Sequence, residues 1–501
     1  MKHLFVDDHD IERLDNLARV LHQPQKFSGN VAVRPEKRWE NCAIQIRTSP
    51  AWDPESASFK MLYLAAAEAP DGRMEIGPTG APAGGESFYC YACSPDGLHW
   101  DKPELGLHDY PVALWNGQPI GTRNNILPSA RGMLHGPILH PDESDPACRY
   151  KGLAYAGGKL EPRVSADALH WQNPGWPSLS SSDEASLTLD ADRGLFIATV
   201  KHGGPYGRSF YLTTSTDFRQ WSDQELVFHA DQTDQENGNQ RLQRFFDDPD
   251  LLAPVYNRPE EWRTDVYNFP VFPYEGMYIA LPVMHHWAGS HPPMYENVDS
   301  RKTVELAASR DLRQWHRVAQ RAPFLELSPV GDGHAYDTGQ MVTTAPPIRR
   351  GDWLVFYYVG LRYRSLSIAD VMARKYLDAG AVCMARLRVD GFVALKGGIE
   401  WGSVMTRPVR VDAAELRLNA DAWRGQIQAE ILDPDDGRAL PGFTRDECVP
   451  LMTDHTDAVL RWQHHADLGG LSGRTVKIRF HLLRSELYAY WLAERGAERT
   501  G

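Results

Sequence analysis

The sequence predicts an all-β protein, a five-bladed β-propeller followed by a C-terminal antiparallel β-sandwich, and three observations lead there. The motif Ser-x-Asp-x-x-x-Trp occurs four times, at Ser94/Asp96/Trp100, Ser165/Asp167/Trp171, Ser215/Asp217/Trp221 and Ser309/Asp311/Trp315. Each copy follows two strand-like runs, and a turn rich in Asp, Pro or Gly separates these from a still earlier strand. Beyond Lys396-Gly397-Gly398 the motif stops and strand-like runs come at short, even intervals. A supersecondary unit repeated with variable insertions is the signature of a repeat architecture, and antiparallel meanders arranged radially leave only short sheet edges.

In chain order, Asp10 to His22 carries Ile11, Leu14, Leu17, Val20 and Leu21 at helical spacing, which predicts an amphipathic helix within an N-terminal arm, residues 1–30. The propeller follows as residues 31–395. Its middle strands are expected at 59–65, 150–156, 195–200, 277–283 and 353–359. Its turns include Trp52-Asp53-Pro54-Glu55 and Asp190-Ala191-Asp192-Arg193-Gly194. A fifth, degenerate copy has Asp390-Gly391-Phe392 in the motif's place. The aspartates of the motif are expected to cap turns and its tryptophans to pack between blades, so none of these acids is a catalytic candidate. Residues 396–501 form the sandwich, with strands expected around Leu416, Ile427, Leu460, Ile478 and Tyr488.

Composition narrows the function. The 501 residues carry a net charge of −13 and 10% aromatics, which argues against a nucleic-acid or anionic-membrane surface as the working face. The first residues contain no apolar run of signal-peptide type and no stretch reaches the roughly 20 apolar residues of a membrane helix, so the expected location is cytoplasmic, or periplasmic or secreted if a signal peptide was removed. Cys90 and Cys93 are three apart in an alternating run and should face opposite sides of a strand, which disfavours a shared metal. No established metal, nucleotide or serine-hydrolase motif occurs; no cofactor is expected, with a structural calcium ion at Asp247-Asp248-Pro249-Asp250 as the one alternative.

In a propeller the inner strands all begin at one end of the channel, so acids distant in sequence converge there. Glu40, Asp183 and Asp337 open three of the five expected inner strands, and they are the catalytic candidates. Paired carboxylates are what acid/base cleavage of a glycosidic bond requires. Glu184, the neighbour of Asp183, is expected to face outward. His135, Arg208, Tyr267, Asn268, His286, Trp287, His334 and Arg362 are the candidate substrate-binding residues, suited to sugar hydroxyls, a sugar face or an anionic substituent.

The run Ser94-Pro95-Asp96-Gly97-Leu98-His99-Trp100, followed by Asp101-Lys102-Pro103-Glu104 and Asn124-Asn125-Ile126, resembles the blade signatures of the five-bladed propeller glycosidases of the invertase, arabinanase and β-xylosidase superfamily. Ser309, Asp311, Trp315 and the appended sandwich are similar to the same group. The resemblance implies a catalytic acid on the first blade, where Glu40 stands, and a general acid on a middle blade, where Asp183 stands; His135 takes the second-blade place of an acid. The expected protein is therefore a glycoside hydrolase acting on an oligosaccharide or glycoside, a polysaccharide-degrading enzyme, with a homo-oligomer possible. A glycan phosphorylase and a non-catalytic carbohydrate-binding propeller are the alternatives.

Overall fold

The computed structural model describes residues 1–26, 30–68, 75–76, 82–83, 86–113, 119–128, 133–290, 298–367, 369–370 and 373–496. Most of its elements are β-strands, and the strands from Ala43 to Arg388 form consecutive antiparallel meanders. The first contains Ala43–Gln45, Ser58–Ala67 and Glu86–Ser94. The second contains Met133–Leu139, Tyr150–Ala156, Lys159–Ser165 and Leu179–Ser180. The third contains Ala185–Asp190, Leu195–Gly204, Gly207–Ser215 and Glu225–Phe228. In the fourth, Arg263–Asn268, Val283–Ser290 and Val298–Val304 continue into Val271–Tyr274, Met277–Ala280, Ala307–Ser309 and His316–Arg317. The last joins Gln340–Thr343, Trp353–Leu361 and Gly380–Arg388 to Val31–Val33, so the chain's own N-terminal side supplies its outer strand.

Each meander packs on the next. Met133–Leu139 touches both Ser58–Ala67 and Ala185–Asp190, Val298–Val304 touches Gln340–Thr343, and the last sheet hydrogen-bonds to the first between Gly380 and Ala43. The arrangement is all-β and propeller-like. One large apolar cluster, including Ile44, Tyr63, Ile279, Phe356, Tyr357 and Val382, joins residues of the first, fourth and last meanders.

The repeated motif builds one turn four times. Ser94 Oγ donates to Asp96 Oδ1 at 3.0 Å, and the same oxygen accepts the amides of Leu98 and His99 at 2.8 and 2.9 Å. Asp167, Asp217 and Asp311 repeat these bonds. The next residue is left-handed in every copy, with φ of +71° at Gly97, +67° at Ala168, +62° at Phe218 and +67° at Leu312. A non-glycine residue pays about 1–2 kcal/mol for that conformation, which the local bonds offset. Burial alone would raise the Asp167 carboxyl, but the His170 amide and ring and the Leu169 amide outweigh it and hold it at about 2. These acids are turn caps, as their spacing predicts. Trp171 and Trp315 close the same turns by donating Nε1 to the carbonyls of Ala168 and Leu312.

The N-terminal arm differs from its expectation. Residues 10–22 are two strands, Ile11–Asp15 and Leu17–Leu21, not an amphipathic helix. Ile11–Asp15 pairs with Gly402–Thr406, Leu17–Leu21 with Val393–Gly397, and His3–Leu4 with Glu486–Ala493. They complete two sheets built from residues 393–493, whose shared core includes Phe5, Leu395, Leu418, Ile431, Phe480 and Leu487. A register shift between Ile11 and Arg13, and Asn16 at φ +49°, break the two-residue alternation and leave apolar spacings that imitate a helix.

A helix forms at Gln232–Asp247, between the third and fourth meanders. Asp231 and Asp234 cap it reciprocally, and Arg321 and Arg317 bind those acids from the fourth meander.

Candidate active site

Glu40 and Asp337 occupy equivalent places in two meanders. The Tyr63 hydroxyl donates to Glu40 Oε1 at 2.5 Å, and Lys102 Nζ and the amides of Glu36 and Lys37 donate to Oε2. In the last meander the Tyr358 hydroxyl donates to Asp337 Oδ2 at 3.0 Å, and Lys26 Nζ lies 2.6 Å from the same oxygen. Asn125 donates to the Tyr63 hydroxyl and Asn30 to that of Tyr358. Tyr63 is in register with Cys90, and Tyr358 with Cys383. Acid, tyrosine, cysteine, asparagine and lysine thus recur as one set that ties the inner strand of a meander to its outer segment. Both acids are buried; Glu40 is bonded through both oxygens, and the partners of Asp337 meet at Oδ2.

A different acid lies at the junction of the inner strands. Glu184 is 2% exposed, and Arg47 Nη2 donates to its Oε1 at 2.6 Å. Its Oε2 is buried without a hydrogen-bond partner. Arg47 is oriented in turn by Gln45 Oε1 at 3.0 Å and the Ile46 carbonyl at 3.0 Å. Glu184, Ser186 and Thr188 alternate with Ala185, Leu187 and Leu189, and Gln45 and Arg47 alternate with Ile44 and Ile46, so each inner strand sends a polar series to one side. The expectation that Glu184 faces outward is therefore corrected. The alternation of neighbours holds, but its phase puts Glu184 inside and Asp183 at the edge, where the Asp183 side chain is 42% exposed and 3.0 Å from Lys201 Nζ.

His135 is completely buried, and neither ring nitrogen has a hydrogen-bond partner. Burial first, then the charges of Arg47 and Lys201, push it down to about 3 against the opposing pull of Asp183, so its ring is neutral near pH 7. Tyr267 is buried beside the same groups; burial, Glu184 and Asp183 all raise its phenol. Two ammonium groups flank its ring, Lys302 Nζ at 2.9 Å and Lys201 Nζ at 4.5 Å from the centroid. Gln340 Oε1, from the last meander, is also buried without a partner.

One edge of this cluster is a hydrogen-bonded arm. Arg208 Nη1 donates to Asp265 Oδ2 at 2.9 Å, and His285 Nδ1 lies 3.0 Å from Asp265 Oδ1. Burial pushes the His285 ring well below its ordinary value, so the neutral ring donates from Nδ1 to Asp265, and its Nε2 accepts from Ser300 Oγ at 2.7 Å. Burial opposes ionisation of Asp265, but the His285 hydrogen bond and the Arg208 charge outweigh it and hold it at about 2. Trp287, half-buried, is covered by the guanidinium groups of Arg263 and Arg208 at 3.5 and 5.2 Å.

The structure thus brings Asp183, His135, Arg208, Tyr267 and Trp287 into one neighbourhood and leaves the other sequence candidates elsewhere. Asn268 serves the backbone, donating to the Thr343 carbonyl and accepting from the Phe269 amide. His286 points the other way from His285, between Thr264 and Thr303 Oγ1 at 2.9 Å each. His334 is exposed. Arg362 lies over the Tyr336 ring and 3.4 Å from Asp378. Asp248 at the calcium candidate caps the helix end, and the described residues contain no group of three or more metal-ligating side chains.

Arg47, Glu184 and Lys302 are the members that sequence reasoning missed. A polar alternation on an inner strand, as in Gln45-x-Arg47 and Glu184-x-Ser186-x-Thr188, is the signal that finds the first two. Lys302 sits in Asp299-Ser300-Arg301-Lys302-Thr303, which reads as a solvated strand although all five residues are buried.

No family model and no curated protein matches the sequence. Solved structures are similar at low identity. An N-acetylgalactosamine deacetylase from F. plautii, in complex with blood group B trisaccharide, shares 14% identity over 75% of this chain and 96% of its own, with a TM-score of 0.37. A glycosyl hydrolase from Bacteroides ovatus shares 11% over 73% of this chain and 97% of its own, with a TM-score of 0.35. A structure from the GH130 family of mannoside phosphorylases, which contains glycoside hydrolases that target β-1,2 mannosidic linkages in Candida mannan, shares 12% over 74% and 94%, with a TM-score of 0.38. With every TM-score this low, the site is read from its own residues.

Proposed function

We propose that the chain is a carbohydrate-active enzyme that cleaves a glycosidic bond at the axis of a five-bladed propeller, with Glu184 as its central proton-handling carboxylate. One observation carries the assignment: Glu184 is buried, fixed through one oxygen by Arg47, and holds its second oxygen without a partner where inner strands meet. A positioned carboxylate with an unused oxygen can take a proton from an attacking water or stabilise positive charge on a sugar ring. Asp183, at the edge, is the second carboxylate. Burial would raise it, but the charge and hydrogen bond of Lys201 prevail, so it is ionised.

Neutral His135 and the Tyr267 phenol supply hydrogen-bonding groups for sugar hydroxyls, and the Arg263 and Arg208 guanidinium groups over Trp287 line the edge. Glu40 and Asp337 take structural roles in this account, since each is tied to a tyrosine and a lysine of its own meander or its flanks. The test is release of reducing sugar from a panel of oligosaccharides and aryl glycosides in phosphate-free buffer. Wild-type protein releases product, and Glu184→Gln lowers the rate by about a hundredfold or more. Equal release by both proteins rejects the assignment.

A further inference from the structure

The charges around Glu184 do not balance. Arg47 is committed to Glu184, Lys201 to Asp183 at 3.0 Å, and Arg208 to Asp265 at 2.9 Å. Each carboxylate of the cluster therefore has its cation already. Lys302 remains: its Nζ is buried, rests on the Tyr267 ring, and has no hydrogen-bond partner. A cation–π contact satisfies part of an ammonium's charge but none of its three N–H donors. Enclosing such a group without an acceptor costs several kcal/mol unless an anion completes it.

We propose that Lys302 Nζ is the recognition point for an oxyanion, carried by the sugar as a carboxylate or sulfate, so that the substrate is an acidic rather than a neutral glycoside. This rests on the reading of Glu184 as the reaction centre and adds the class of substrate it serves. The neighbours favour the same ligand. Burial first, then Arg364, Lys201 and Arg208, push the Lys302 ammonium well below its ordinary value against Glu184, and an added anion would reverse that unfavourable field. Arg208 and Arg263 over Trp287 extend the cationic surface to the edge, where an acidic sugar would first meet it.

Titration calorimetry and thermal-shift measurements on the full chain test this without turnover. The probes are glucuronate, glucose 6-sulfate, inorganic phosphate and, as the neutral control, glucose. The expected result is that glucuronate or glucose 6-sulfate binds at least tenfold more tightly than glucose, and that Lys302→Met removes the difference while raising Tm in the absence of ligand. Inorganic phosphate binding tightly while both acidic sugars bind no better than glucose would overturn the sugar-borne anion and move the oxyanion to a free co-substrate. Glucose binding as well as every anion, or Lys302→Met retaining the preference, would overturn the oxyanion site itself. Because binding is read directly, its failure leaves the Glu184 assignment standing, and an inactive wild type with intact anion binding does the reverse.

Discussion

At the residue scale, what separates the buried acids is the set of groups that holds each of them. Glu40 receives Tyr63 on one oxygen and Lys102 and two amides on the other, Asp337 receives Tyr358 on Oδ2 with Lys26 beside the same oxygen, and Glu184 receives Arg47 on Oε1 while its Oε2 is buried without a partner. Removing one partner of a buried ion pair leaves the other charge enclosed and costs about 3–5 kcal/mol. Glu40→Gln is therefore expected to lower stability by that order, measured by urea unfolding, because Lys102 loses its counter-charge, and Asp337→Asn by less, because Lys26 is partly exposed and keeps the Glu326 carbonyl and Ser328. A midpoint within experimental error of wild type in both would show that these acids do not hold their sheets. The sequence marks Glu40, Asp183 and Asp337 at inner-strand starts and turns Glu184 outward, and it cannot show what each acid's oxygens meet. That property depends on Tyr63 and Tyr358 from the next strand and on lysines from outer segments, which no spacing within the inner strand reveals.

At the element scale, the most legible features are those made by local hydrogen bonds. The Ser-x-Asp turns form as read because every partner lies within four residues, and the expected inner-strand starts fall near the observed ones at Ala43, Met133, Ala185, Arg263 and Gln340. The N-terminal arm departs from the expected helix because its bulge and the left-handed Asn16 give a strand pair the apolar spacing of a helix. Nor do residues 30–33 announce that they pair with Gly380–Arg388, more than three hundred residues later. Strands that complete sheets are not dispensable. Deleting residues 1–21 removes one strand from the sheet containing Gly402–Thr406 and two from the sheet containing Val393–Gly397, and uncovers Leu395, Val404 and Leu487. The deleted chain is expected to be insoluble or to lose cooperative unfolding, checked by soluble yield and by circular dichroism during heating. A soluble, cooperatively unfolding product would show that the arm is an accessory.

For the molecule as a whole, the buried titratable groups set the pH dependence of stability. His135 is pushed down to about 3, and His285 and His286 lie well below 6.5, each chiefly through burial. Their folded pKa values lie below the unfolded one, so the unfolded chain binds more protons. The stability they contribute is complete above about pH 6.5 and falls as pH decreases toward their folded values. Each histidine adds a slope approaching about 1.4 kcal/mol per pH unit in that window. Asp231, held at about 2 first by its Arg321 bond, and Asp265, Glu143 and Glu486, held at about 2 by their partners against burial, follow the same sign lower down. Their share is present above their ordinary values of 3.8 to 4.5 and is lost as pH falls through 2. Tm is thus expected to level off near pH 7.5, decline between pH 6.5 and 5, and drop further below pH 4.5. A flat Tm from pH 8 to 5 would contradict neutral burial of the histidines.

The centre of the account is that the inner strands converge on Glu184 and that Glu40 and Asp337 serve the fold. The most direct measurement compares kcat/KM and Tm side by side for Glu184→Gln, Glu40→Gln and Asp337→Asn on one cleaved glycoside. The account predicts that Glu184→Gln loses about a hundredfold or more in kcat/KM below its unfolding temperature, while the other two lose Tm and keep kcat/KM within a few-fold of wild type below theirs. Full activity in Glu184→Gln, or inactive but normally stable Glu40→Gln and Asp337→Asn proteins, would contradict it.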